Sequence, residues 1–171
     1  MKSLAVLAVL LAVRVVLNMP FLTIYLTPQF KLITFAYLAD AMAAMLFGPF
    51  AALAFGFAGD FLGFLVSGGG GAYFPGFALS EMITCLIFAL FFHKREITLP
   101  KIAAAWFIDL GVVLLGLNSL WLIVMYGMEA GSVFTFARFV SNIVQSPVHI
   151  MILWLVLAKV MNRDSIKRLL P

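Results

Sequence analysis

The sequence predicts an all-α integral membrane bundle of six transmembrane helices with both termini cytoplasmic, and three observations carry that expectation. Of 171 residues, 65% are hydrophobic and 11% charged, with a mean hydropathy of +1.16. Soluble globular chains are about 45–50% apolar and about 25% charged. The apolar residues gather into stretches close to the ~20 that a helix needs to cross a bilayer, and the basic residues gather in the connections on one side. A soluble enzyme, a nucleic-acid reader and a disordered chain are thereby excluded. The net charge of +4 is that of loops rich in Lys and Arg on the cytoplasmic side, and implies no nucleic-acid partner. An open sheet cannot satisfy its edges in lipid and the loops are too few for a barrel, which leaves helices.

Taken in order, the first span runs from Lys2 to about Tyr25, fraying around Asn18, Met19 and Pro20. Arg14 interrupts its apolar run and no small-residue cleavage site follows, so it reads as a mature helix and not a signal peptide. The second runs from Ile33 to Phe47, where Gly48 and Pro49 make a very tight break. The third runs from Pro49 to Val66, with proline in the first turn, where its missing N–H costs nothing. A glycine-rich loop, Ser67–Gly76, leads into the fourth span, Phe77–Phe92. The fifth is Pro100–Tyr126, the sixth Phe134–Met161, and a polar tail, Asn162–Pro171, follows. Lys2, Lys94, Arg95, Lys101, Lys159, Arg163, Lys167 and Arg168 fall on one side, whereas the loops opposite carry only Lys31. The loops Leu26–Leu32, Ser67–Gly76 and Gly127–Val133 thus face outward. No repeat or linker divides the chain, so residues 1–171 form one membrane-embedded domain.

Charged groups within spans cost ~2.5–3.5 kcal/mol near the bilayer centre and face a bundle interior or a cavity. Six are present: Arg14, Asp40, Asp60, Glu81, Asp109 and Arg138. Arg14 pairs by depth with Asp40 or Asp60. Asp109 lies across its helix from Asn118 and is assigned to helix packing or a cytoplasmic-side contact. In the sixth span Arg138, Asn142, Gln145 and His149 make one helical stripe that lipid cannot accept. Asn118 and Trp121 share a face of the fifth span, Tyr126 lies near its outer end, and Glu81 lies one turn into the fourth. A cation, an anion, amides and aromatic faces together suit a flat, polar, partly anionic ligand; singly, Trp121 and Tyr126 also fit an interfacial aromatic belt. His149 reads as a hydrogen-bonded core residue. Cys85 is the single cysteine, and neither it nor His93 and His149 have metal-ligand spacing, so no metal or cofactor is implied.

Small residues define two further faces. Ala5, Ala8 and Ala12 lie opposite the polar Arg14 and Asn18 on the first helix, and a smooth face turned away from the interior implies another protein. Ala52, Gly56, Gly59 and Gly63 form a second stripe, assigned to internal packing because Asp60 beside it must be buried.

The stretches GPFAALAFGFAGDFLG (Gly48–Gly63), GGGGAYFPGFAL (Gly68–Leu79) and LNSLWLIVMYG (Leu117–Gly127), with Arg138 and Pro147, resemble the folate family of S components of energy-coupling factor (ECF) transporters. The resemblance covers almost the whole chain in order. It implies a non-enzymatic subunit of a cell membrane that captures a water-soluble vitamin at the extracellular face. An EcfT-like transmembrane coupling subunit and two cytoplasmic ATPases would drive uptake, since this chain has no Walker A sequence. Ala8 and Ala12 match the family's docking motif on its first helix. Arg138 and Asn142 are expected as polar anchors, Asn118 and Trp121 as amide and stacking partner, with Glu81, Gln145, Tyr126 and Arg14 also in the site. The loop bearing Gly69, Gly70, Tyr73, Phe74 and Pro75 is expected to gate it. Two positions depart from the folate pattern: Glu81 replaces a small residue, and Ser141 stands where many members have a basic one. Folate is the favoured substrate; pantothenate and a hydroxymethylpyrimidine or pyridoxine-like ring are alternatives within the same role. A stand-alone small-molecule membrane carrier is the alternative class, which inverted repeats and interrupted helices would favour.

Overall fold

The computed structural model describes residues 2–19, 24–27, 30–33, 35–66, 72–127, 129 and 136–161. Helix α1, Lys2–Leu17, is shorter than expected. Its last turn closes with Asn18 N–H on the Arg14 carbonyl at 3.0 Å and Met19 N–H on that of Val16 at 3.1 Å. Pro20 then has no N–H to continue the ladder and forces its predecessor out of helical geometry. The span predicted to reach Tyr25 therefore stops at Leu17. Where a plain loop is expected at Leu26–Leu32, the described residues pair instead as antiparallel strands, β1 (Ile24–Thr27) and β2 (Phe30–Ile33), with Ile24 opposite Ile33, Tyr25 opposite Lys31 and Thr27 opposite Phe30. Branched and aromatic residues on either side of Pro28 and Gln29 favour that pairing.

Helix α2, Ala36–Val66, is two arms joined at Gly48, whose φ of 81° and ψ of −177° break the helix. Only glycine adopts that conformation without strain. Asp40 and Gly59, on opposite sides of Gly48, both meet Arg14, so the arms are antiparallel. The His93 ring lies over the turn, and a Cβ on Gly48 would come 2.9 Å from its Nε2. The His93 Nδ1–H donates to the Met45 carbonyl at 3.0 Å. A carbonyl can only accept, which assigns the proton to Nδ1.

Helix α3, Pro75–Phe92, starts with proline in its first turn and runs antiparallel to the second arm of α2, with Glu81 beside Gly56 and His93 beside Gly48. Leu99–Asp109 (α4) and Asn118–Tyr126 (α5) are joined without a break by a π-helical stretch, Leu110–Leu117. Gly127, at φ 61°, ends α5 with its N–H on the Ile123 carbonyl, a left-handed cap. Helix α6 is Phe136–Met161. Among the described residues, four helical stretches are long and apolar enough to cross a membrane: Ala36–Val66, Pro75–Phe92, Leu99–Met125 and Asn142–Lys159; α1 is a shorter apolar helix. Ala39, Ala41, Ala43 and Ala44 let the first arm of α2 approach its neighbours closely. Phe88, Phe92, Ile102, Leu153 and Leu157 complete the core from α3, α4 and α6.

Candidate functional site

Arg14 stands at the junction of α1, α2 and α3, with 1% of its surface exposed. Its Nε donates to Asp40 Oδ1 at 2.6 Å and its Nη2 to Glu81 Oε2 at 2.5 Å. Cys85 Sγ, 3.5 Å away, shares the same Asp40 oxygen. The guanidinium lies flat on Gly59, where a Cβ would come 2.5 Å from its Nε; the small-residue stripe of α2 thus packs internally, as expected. Of the two partners predicted for Arg14, Asp40 is the one that binds it. Asp60 instead accepts from the Tyr73 hydroxyl at 2.9 Å. Glu81, expected beside a ligand, also holds Arg14, a long-range contact that helical spacing does not reveal. Arg14 Nη1 is buried and has no hydrogen-bond partner among the described residues.

Tyr73 packs edge-on against Phe61 at 5.4 Å and tilted against Phe64 at 5.1 Å. Burial, then the hydrogen bond to Asp60 and its charge, push the phenol up to about 12, so it stays a neutral donor at neutral pH. Phe74 meets Trp121 edge to face at 5.7 Å. Tyr73, Phe74 and Pro75 are thereby tied to α2, α5 and α3. Gly69 and Gly70, the other residues expected in the gate, lie outside the described residues.

Trp121 Nε1 donates to Ser80 Oγ at 3.0 Å, and Thr84 Oγ1 donates to Asp109 Oδ1 at 2.6 Å. Asp109 and Trp121 therefore both face α3. This corrects the expectation that Asp109 points away from the face of Asn118 and Trp121. In the π-helical stretch each residue turns through less than the ~100° of an α-helix. The phase shift swings α5 round until its polar face and Asp109 meet the same neighbour. Asn118 Oδ1 is buried and has no hydrogen-bond partner among the described residues. Gly76 lies so close to this wall that a Cβ would come 2.8 Å from Trp121 Cδ2. Gly76→Val is expected to destabilise the protein by about 1–3 kcal/mol through overpacking and to alter the near-ultraviolet dichroism of its tryptophans; an unchanged melting temperature and spectrum would show that the wall yields freely.

On α6, Asn142 and Gln145 are partly buried and His149 is buried, whereas Val144, Val148 and Met151 are exposed. These three members of the polar stripe thus lie on the inward side, as a helix in lipid requires. His149 Nδ1 lies 3.1 Å from the Gln145 carbonyl, and its ring stacks on Trp106 at 4.7 Å and 13°. Trp106 Nε1 donates to Ser146 Oγ, which donates to the Asn142 carbonyl. Tyr37 meets both rings edge to face, with its hydroxyl buried and without a hydrogen-bond partner among the described residues. His149 is thus the core residue expected. Tyr37 and Trp106 were missed because each sits in an apolar run and reads as filler, and Ser146 because it lies one residue off the stripe of Asn142, Gln145 and His149. The backbone of Arg138 lies on α6 and that of Tyr126 on α5, but both side chains lie outside the described residues. Ala5, Ala8 and Ala12 are exposed along α1, opposite buried Arg14 and Leu10.

The family model described as "ECF-type riboflavin transporter, S component" matches residues 1–163. A folate transporter FolT of Clostridium novyi is 32% identical over 122 residues, covering 71% of this chain and 70% of that protein. Another FolT, from Leuconostoc mesenteroides, is 28% identical over 153 residues, covering 83% and 79%. A crystal structure of FolT bound with folic acid superposes with a TM-score of 0.82 at 30% identity, over 91% of both chains. The chain belongs to the family of S components of ECF-type vitamin transporters. It is accordingly a non-enzymatic, multi-pass membrane subunit that works with an energy-coupling module on a vitamin.

Proposed function

We propose that the protein captures folate at the extracellular face and delivers it for ATP-driven uptake. The observation that carries this reading is the likeness, over 91% of both chains, to FolT bound with folic acid; the two FolT relatives support it, although the family model is named for riboflavin. In this reading the bundle crosses the membrane six times, α2 contributing two crossings through its reversal at Gly48, and both termini are cytoplasmic. Basic residues at the His93 end of α3 and beyond α6 support that orientation. The partly buried stripe of α6 and the unpartnered Arg14 Nη1, Tyr37 hydroxyl and Asn118 Oδ1 support a polar interior that takes a ligand, since unsatisfied buried polar atoms are rare.

Arg138 and Asn142 anchor the anionic tail, with Gln145 beside them. Trp121 stacks on the ring and Asn118 meets its edge, with Glu81 and Arg14 deeper in the bundle. Tyr126 lines the mouth, and the loop carrying Gly69, Gly70, Tyr73, Phe74 and Pro75 gates it. An EcfT-like coupling subunit docks on Ala5, Ala8 and Ala12, and two cytoplasmic ATPases supply the energy. Calorimetric titration of the purified protein with folic acid, riboflavin and pantothenate tests the substrate; preferential binding of riboflavin would replace folate. Arg138→Ala is expected to weaken folic acid binding about 10- to 100-fold, the worth of one charge-assisted hydrogen bond, without preventing assembly with the coupling module. Unchanged affinity would remove Arg138 from the site.

A further inference from the structure

We infer that Glu81 and Arg14 together read the amino-pyrimidine edge of the substrate ring, which fixes which end of the ligand enters first. This rests on the folate reading above. Among the described residues, the carboxylates of Asp40 and Glu81 both bind the guanidinium of Arg14, and Asp109 faces α3, the helix that carries Glu81. Asp40 is bound by Arg14 and Cys85, and Asp109 by Thr84. Both are buried, at 1% and 4% exposure. Glu81 differs from them: 37% of its side chain remains open, and Arg14 Nη2 engages only its Oε2.

A carboxylate offers about four acceptor positions on its two oxygens, so Glu81 keeps acceptors for a ligand while Arg14 holds its orientation. Beside it, Arg14 Nη1 is an unpartnered donor on a side chain with 1% exposure. Two acceptors and an adjacent donor complement the edge of a 2-amino-4-oxopyrimidine, which presents an amino group, a ring N–H and a carbonyl in sequence. Trp121, hydrogen-bonded to Ser80, the residue preceding Glu81, brings an aromatic ring to the same stretch of α3. The same surplus of carboxylates repels an anionic tail, so the ring faces Glu81 and the carboxylates of the ligand face Arg138.

The test compares folic acid with its 2-desamino-2-methyl analogue, which lacks the donor that Glu81 would accept, by calorimetric titration of the wild type and Glu81→Gln. Glutamine keeps an acceptor for Arg14 but presents an N–H group where the ligand needs an acceptor. The wild type is expected to prefer folic acid about 10- to 100-fold, and E81Q to lose most of that preference while still binding the analogue. Equal affinity of the wild type for both probes, or an undiminished preference in E81Q, would overturn the inference and leave the folate reading standing. The wild-type comparison decides the matter even if E81Q does not fold. No binding of folic acid to the wild type would overturn both.

Discussion

Replacing Arg14 with methionine should cost about 3–5 kcal/mol, because it leaves Asp40 as a buried carboxylate without its partner. The loss is not that of a surface ion pair, which is commonly worth less than about 1 kcal/mol. Asp40 is 1% exposed and its one remaining described partner would be the Cys85 thiol, a weak donor. Adding Asp40→Leu should restore much of the lost stability, since apolar residues of similar volume often replace a buried pair without penalty. Thermal melting of the three proteins in detergent measures this directly. A single variant that melts with the wild type, or a double variant no better than the single, would show that the pair does not hold α1 to α2.

Ala8→Trp is expected to abolish folate uptake while leaving folic acid affinity unchanged. Ala8 lies on the exposed face of α1, opposite Arg14 and Leu10, so the indole has room in the isolated protein. A partner helix packed against a small-residue face has no such room. Transport into cells carrying the coupling module and calorimetry on the purified subunit separate the two effects. Uptake at the wild-type rate would show that the coupling subunit docks elsewhere, and lost binding would show that the face belongs to the fold.

What the sequence could convey depended on whether each feature has a local cause. Gly48 and Pro49 reverse the chain through backbone chemistry confined to two residues, so the break was legible. The inward turn of α6 was legible because Asn142, Gln145 and His149 recur at helical spacing among apolar neighbours. The strand pair was not, because the residues of Ile24–Thr27 and Phe30–Ile33 are as apolar as a helix end, and their pairing rests on hydrogen bonds between segments. Arg14 could have met Asp40 or Asp60 by depth alone; the packing of α1 on Gly59 decides between them. Its further contact with Glu81 depends on how three helices meet, which no single-helix pattern contains. The facing of Asp109 was misjudged for one reason, a uniform α-helical twist assumed across Leu110–Leu117.

That stretch, Leu-Gly-Val-Val-Leu-Leu-Gly-Leu, has no polar side chain. Its wider coil nonetheless sets where Trp121 and Asn118 point. The information it carries is a count of residues more than a choice among them: exchanging one aliphatic side chain for another leaves the message intact, whereas losing a single codon rewrites it. Two relatives with matching site residues but spacers of unequal length would therefore present differently shaped interiors, and a comparison by residue identity alone would pass over the difference.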